Sequence, residues 1–192
     1  ETQSGPRVRG KAFNDKNLEQ FTVSSRAGKI KVSFILKQSN TRFFHSMNPE
    51  RILVGAEGIG IGRDALRRAS TYAVEREVFG RPIGQNQGIQ HPLAENWMEL
   101  EAAWLMVKHA AELFDNEQPC GAEANSAKFL GARAGYNAAL QSVMTHGGMG
   151  YAKEYHVERL LREVLITRIA PVSEQLIASF IGERVLGLPK SY

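Results

Sequence analysis

Between its ninth and twelfth decades the chain reads Ile89-Gln90-His91-Pro92-Leu93-Ala94-Glu95-Asn96-Trp97-Met98-Glu99-Leu100-Glu101-Ala102-Ala103-Trp104-Leu105-Met106-Val107-Lys108-His109-Ala110-Ala111-Glu112-Leu113-Phe114. Ile89, Leu93, Trp97, Leu100, Trp104, Val107, Ala111 and Phe114 recur every three or four residues, which puts one apolar stripe along an α-helix. Such a helix is ~40 Å long at 1.5 Å per residue, the length used by helical bundles rather than by small globular folds.

Outward from that helix the breakers are legible. Upstream, Asn48-Pro49 opens a helix, with Asn48 as N-cap and Pro49 at the first helical position, that runs to about Glu77 before Gly80-Arg81-Pro82. Downstream, Gln118-Pro119-Cys120-Gly121 precedes a third helix rich in small residues (Ala124, Ala127, Gly131, Ala134, Ala138) that ends at Gly147-Gly148. A fourth begins near Tyr155 and carries Leu160, Leu161, Val164 and Leu165 towards Pro171, and Leu176, Ile177, Phe180, Ile181 and Val185 form a second segment beyond it. The fold expected is mainly α, an antiparallel up-down four-helix bundle over residues 43–192. Residues 1–42 are different. Phe21-Thr22-Val23-Ser24-Ser25, the turn Arg26-Ala27-Gly28, and Lys29 to Leu36 read as a β-hairpin, marginal by itself.

Composition bounds the function. With 43% hydrophobic residues, 18 Gly and 7 Pro in 192, the chain supports a core and argues against disorder or repeats. No apolar run approaches the ~20 residues of a membrane-spanning helix, so no span is expected. The net charge of +4 is uneven, residues 1–45 holding nine Lys/Arg against three Asp/Glu. Those basic groups form no recognised motif with aromatics, so nucleic acid is not an expected partner. Cys120 is the sole cysteine; it forms no internal disulfide and reads as a packed thiol, in keeping with a reducing compartment. The histidines show no shared metal spacing and no metal site is expected. The sequence opens on Glu1, so a targeting segment is not judged from it, and localisation is left between cytoplasm and mitochondrial matrix.

Two glycine-rich places invite opposite readings. The run Gly55-Ala56-Glu57-Gly58-Ile59-Gly60-Ile61-Gly62 lies inside a helical stretch with no strand before it, which fits close helix packing better than a dinucleotide-binding loop. In Tyr72-Ala73-Val74-Glu75-Arg76-Glu77-Val78-Phe79-Gly80-Arg81-Pro82-Ile83 a helix ends in a basic residue, an aromatic and a glycine turn. There Arg76 either answers the helix dipole or forks onto a phosphate, and Phe79 is either core or a ligand contact.

That run, continued through Gln85-Asn86-Gln87-Gly88-Ile89-Gln90, together with His146-Gly147-Gly148-Met149-Gly150-Tyr151, closely resembles the acyl-CoA dehydrogenase family in its C-terminal helical domain, from about Phe43 to Tyr192. The resemblance implies FAD as cofactor. It assigns Arg76, Phe79 and Gln87 to the flavin of a neighbouring subunit, Asn86 to cofactor binding, and Gly147-Gly148 to a backbone approach to the adenosine diphosphate part of the flavin. Ser173 and Gln175 match flavin-contacting positions, whereas Met144 stands where the family often has Gln. Most members carry the catalytic Glu at the position of Pro171 here, and Glu174 is read as flanking. Isovaleryl- and long-chain-type members instead place the base at the start of the first helix, before an Arg, where this chain has Asn48-Pro49-Glu50-Arg51.

Glu50 is therefore the expected base, with Asn48 and Arg51 as substrate-binding neighbours; by itself, an acid in a helical first turn is also what the dipole favours. Burial beside an acyl chain would raise its pKa into a range useful for proton transfer. The implied reaction is dehydrogenation of an acyl-CoA to a 2,3-enoyl-CoA, with electron-transferring flavoprotein as electron acceptor and a homodimer or homotetramer as assembly. The alternative is a non-catalytic helical oligomerisation subunit. The hairpin segment is either a remnant of the family's middle β-domain or a join of discontinuous pieces.

Overall fold

The computed structural model describes residues 8–12, 18–25 and 28–35, for which only the backbone is considered, and 47–190. The chain forms two compact units, Glu1–Met47 and Asn48–Tyr192. In the first, β1 (Val8–Ala12), β2 (Leu18–Ser25) and β3 (Gly28–Ile35) make an antiparallel sheet in sequence order. The expected hairpin is present, but Ser25 pairs with Gly28, so Gly28 opens β3 instead of belonging to the turn, and β1 was not foreseen. The turn residues Arg26 and Ala27, and Leu36, lie outside the described residues.

The second unit is helical: α1 (Asn48–Glu75), α2 (Gln87–Asp115), α3 (Gly121–His146), α4 (Val157–Ile169) and α5 (Glu174–Arg184). Between α1 and α2 lies a small hairpin, β4 (Glu77–Val78) and β5 (Arg81–Pro82), followed by one 3-10 turn. The first helix thus stops two residues before the expected end, because Glu77 pairs into the hairpin. The fourth element is two helices, broken at Ala170–Ser173.

The closest seam joins α1 to α3, which run the same way. Side chains would keep such backbones apart, and here they are missing: a Cβ on Gly55 would lie 2.7 Å from the Ala127 carbonyl oxygen, and one on Gly58 would lie 2.8 Å from that of Gly131. Gly62 meets Gly135 in the same way one turn further on. The glycine run is a packing stripe, as its position inside a helix implied. Around it, Ile52, Ile59 and Leu66 of α1 pack with Leu100, Ala103 and Val107 of α2 and the alanines of α3. A second cluster joins Ala65 and Ala139 to Leu160 and Val164 of α4.

The stripe read along α2 is rotated slightly from the one the bundle buries. Leu100 and Val107 are core, but Trp97 is 57% exposed, and Asn96, Ala103 and Ala110 are buried instead. By length and composition alone, Val157–Arg184 contains a window apolar enough for a membrane span. The chain divides it into helices of 13 and 11 residues, each too short to cross ~30 Å of hydrocarbon, with a charged pair at the break.

Candidate functional site

At the end of the bundle where α1 begins and α4 finishes, a cavity of about 310 Å³ is lined by Glu50, Leu53, Val54, Glu57, Ile166, Thr167, Ala170 and Pro171. Its composition follows from helical spacing: Glu50, Leu53, Val54 and Glu57 are i, i+3, i+4 and i+7, hence one face of α1. Helix α4 supplies the facing wall, and the chain bends at Ala170-Pro171 to close the end. The sequence placed Glu50 and Pro171 at opposite ends of the helical region; the fold brings them into one cavity. Leu53, Val54 and Ile166 were not singled out beforehand, although the helical spacing from Glu50 points to the first two. Glu50 is exposed, not buried as expected, because among the described residues only these two helices and the bend wall the cavity.

Asn48 and Arg51 do not line this cavity. Both are buried at 4% exposure on the inner side of the first turn of α1. Arg51 Nη1 donates to Asn48 Oδ1 at 3.2 Å, and Asn48 Nδ2 donates to the Cys120 sulfur at 3.4 Å, which ties the starts of α1 and α3 together. Burial pushes the Arg51 guanidinium down, against the opposing pull of Glu50. Cys120 is fully buried, and burial pushes its thiol up despite the Asn48 bond, so it is a packed and unreactive group.

Glu174 is structural. Arg168 Nε donates to it at 2.6 Å and Arg133 Nε at 3.1 Å, which pins the start of α5 to α4 and α3. Burial would raise its carboxyl, but the Arg168 and Arg133 bonds outweigh that and hold it below the usual carboxylate range. Ser173 caps α5, its Oγ accepting from the Leu176 N–H at 3.4 Å, and Gln175 is exposed beside it.

The remaining expected cofactor residues gather at the opposite end of the bundle. Phe79 and Gly80 form the two-residue tip of the β4–β5 hairpin with φ of 54° and 76°. Both values are positive, as a primed hairpin turn requires, but an aromatic residue there is strained. Phe79 is nevertheless 100% exposed, so the core reading of it fails. Arg76 is exposed directly after the last residue of α1 and makes no ion pair among the described residues, a position that suits the helix dipole and also leaves the guanidinium open to an external anion. Asn86 is held in place, accepting from Arg81 Nη2 at 2.7 Å and donating to the Ile83 carbonyl at 2.9 Å; Gln87 follows, exposed, at the first position of α2.

Gly147 is the C-cap of α3 with φ 59° and ψ −134°, a conformation essentially confined to glycine. Gly148 has no such reason: its φ is not positive, it is exposed, and an added Cβ would meet nothing within 4 Å. The preceding His146 is buried, stacked on Tyr72 at 4.2 Å and bonded through Nδ1 to the Ser142 carbonyl at 2.7 Å, which fixes the direction in which the glycines leave the helix. A guanidinium with no ion pair among the described residues, an exposed aromatic on a strained turn and a glycine with no internal need to be one all fit an external phosphate-bearing, aromatic ligand such as FAD.

Residues 41–186 match the family model described as the C-terminal domain of acyl-CoA dehydrogenase. Acyl-CoA dehydrogenase FadE12 of Mycobacterium tuberculosis is 42% identical over 153 residues, 79% of this chain and 39% of its own length. The CarC subunit of the caffeyl-CoA reductase–Etf complex of Acetobacterium woodii is 34% identical over 179 residues, 92% of this chain and 46% of its own length. Among solved structures, glutaryl-coenzyme A dehydrogenase in complex with glutaryl-CoA superposes with a TM-score of 0.75 at 26% identity, over 93% of this chain and 49% of that one. The chain therefore spans less than half the length of these three proteins.

Proposed function

Because this chain belongs to the acyl-CoA dehydrogenase family, we propose that it takes part in FAD-dependent α,β-dehydrogenation of an acyl-CoA, with Glu50 as the base. The observation that carries this is the cavity holding both Glu50 and Pro171. Pro171 occupies the position where most of the family is expected to carry its catalytic Glu, so the two alternative places for a base face one site, and of those two places Glu50 is the one that offers a carboxylate.

In the reaction the Glu50 carboxylate removes the proton α to the thioester carbonyl. FAD, when bound, supplies the acceptor for the hydride that leaves the β-carbon. Leu53, Val54, Ile166 and Pro171 present carbon to the acyl chain and displace water from it. In this reading Ser173 and Gln175, at the bend beside the cavity, contact flavin at this end, and Arg76, Phe79, Asn86, Gln87, Gly147 and Gly148 contact flavin at the other. The two groups are separated by the length of α1, 28 residues or ~42 Å at 1.5 Å per residue, farther than one dinucleotide reaches. Each flavin would then be shared between two chains, which supports a homodimer or homotetramer as the working unit. The name of the CarC relative, a subunit of an Etf complex, supports electron-transferring flavoprotein as redox partner. Since the likeness to glutaryl-coenzyme A dehydrogenase takes in 93% of the chain, it extends beyond the helical unit and supports reading residues 1–42 as part of the family's β-domain.

In the full-length, FAD-loaded protein, Glu50→Gln should lower kcat for its acyl-CoA by about 10²–10⁴, the usual contribution of a positioned base, with flavin absorbance and oligomer mass unchanged. An unaltered kcat would remove Glu50 from the mechanism. Pro171 at the usual base position favours a second reading, a non-catalytic helical subunit, and a wild-type protein that assembles yet turns over no acyl-CoA would establish it.

A further inference from the structure

The cavity that holds Glu50 contains a second carboxylate for which the reaction has no use. Glu57 follows Glu50 by seven residues, two turns of α1, so it lies on the same face and ~10 Å farther along the axis. Among the described residues the wall between them offers no free donor: Leu53, Val54 and Ala170 present carbon, and the Thr167 hydroxyl already donates to the Val164 carbonyl at 2.7 Å. Glu57 is exposed at the edge of the cavity, hydrated when the cavity is empty, and makes no ion pair or hydrogen bond among the described residues. A carboxylate bordering an apolar channel loses hydration when an alkyl chain fills it, a cost that disappears if the chain brings a donor.

We infer that Glu57 is a specificity-determining residue that accepts a hydrogen bond from a donor near the far end of the acyl group, so that the substrate class is an acyl-CoA bearing a distal hydroxyl or amine. This rests on Glu50 marking the reacting end. A separation of ~10 Å corresponds to about nine bonds of an extended chain, at three bonds per ~3.5 Å, which suits an acyl group of roughly eight carbons with the donor at its terminus.

The test uses the full-length, FAD-loaded protein with octanoyl-CoA, ω-hydroxyoctanoyl-CoA and ω-aminooctanoyl-CoA, reading kcat/KM by absorbance and Kd by calorimetry. At least one ω-substituted thioester should exceed octanoyl-CoA about tenfold in kcat/KM and in affinity, with kcat little changed, and Glu57→Leu should invert that order. Glu57→Gln, which keeps the acceptor and removes the charge, should retain a hydroxyl preference and lose an amine preference. Equal handling of all three thioesters, or an order unchanged in Glu57→Leu, would overturn the assignment while leaving Glu50 in place. Absence of turnover with every thioester, in wild type and Glu50→Gln alike, would instead remove the base and the inference with it.

Discussion

Lys128 shows what the bundle tolerates at a single residue. It is fully buried in α3, and its Nζ has no hydrogen-bond partner among the described residues. Burial pushes its pKa down, Glu174 pulls it up and Arg168 pushes it down again, with the net effect downward. A lysine whose folded pKa is depressed binds fewer protons folded than unfolded, so stability rises with pH from the folded pKa up to the unfolded value of about 10.4. Lys128→Met should therefore raise Tm at pH 7, with the advantage over wild type shrinking as pH approaches 10. Thermal melts across that range check it, and a variant less stable than wild type at every pH would show that the ammonium holds the fold together.

At this scale the sequence was informative where a residue's role is set by its own chain neighbours. The glycine turn after Phe79 is such a case, whereas the exposure of Phe79 and Arg76 was left open. It was silent where burial decides: Asn48 and Arg51 flank Glu50 in sequence but turn inward, since successive residues on a helix point about 100° apart. Glu57 escaped notice because its meaning depends on α4 facing it.

Among the elements, the α1–α3 seam is the most demanding. Helix propensity alone would reward replacing any helical glycine with alanine by up to about 1 kcal/mol. A Cβ on Gly135, however, would run into the Gly58 carbonyl, and both backbones would have to move. Gly135→Ala should therefore destabilise the protein by ~1–3 kcal/mol, whereas Gly60→Ala, on the same stretch of α1 but with nothing within 4 Å, should be neutral or stabilising. Denaturant titration of the pair separates packing from propensity; equal effects would mean that the seam is looser than its geometry. The small-residue pattern of α3 and the long period of α2 made these helices legible in advance. What remained hidden was the rotation of α2 that leaves Trp97 exposed, because a stripe several residues wide does not say which of its edges meets the core. Strand β1 was hidden too: Val8-Arg9-Gly10-Lys11-Ala12 is short, charged and interrupted by glycine, and only pairing with β2 makes it a strand.

On the scale of the whole helical unit, the residues of the proposed site divide between two ends. Antiparallel connections place Glu50, Pro171, Ser173 and Gln175 at one end, and the Arg76–Gln87 hairpin region with Gly147-Gly148 at the other. Family resemblance supplied both sets from the sequence, but their separation is a property of the bundle, because α1 runs straight between them for 28 residues. The account therefore requires two chains to complete one site: one contributes the base, its neighbour the exposed arginine, aromatic and glycines. The most direct measurement is complementation between two full-length, FAD-supplied variants, Glu50→Gln and the double variant Arg76→Ala/Phe79→Ala, assayed for acyl-CoA dehydrogenation separately and after co-assembly. Each alone should be nearly inactive, and co-assembly should restore about a quarter of the wild-type rate, since random pairing across a two-fold gives half hybrids with one intact site of two. Folded, co-assembled hybrids that remain as inactive as the separate variants would contradict the division of the site between chains.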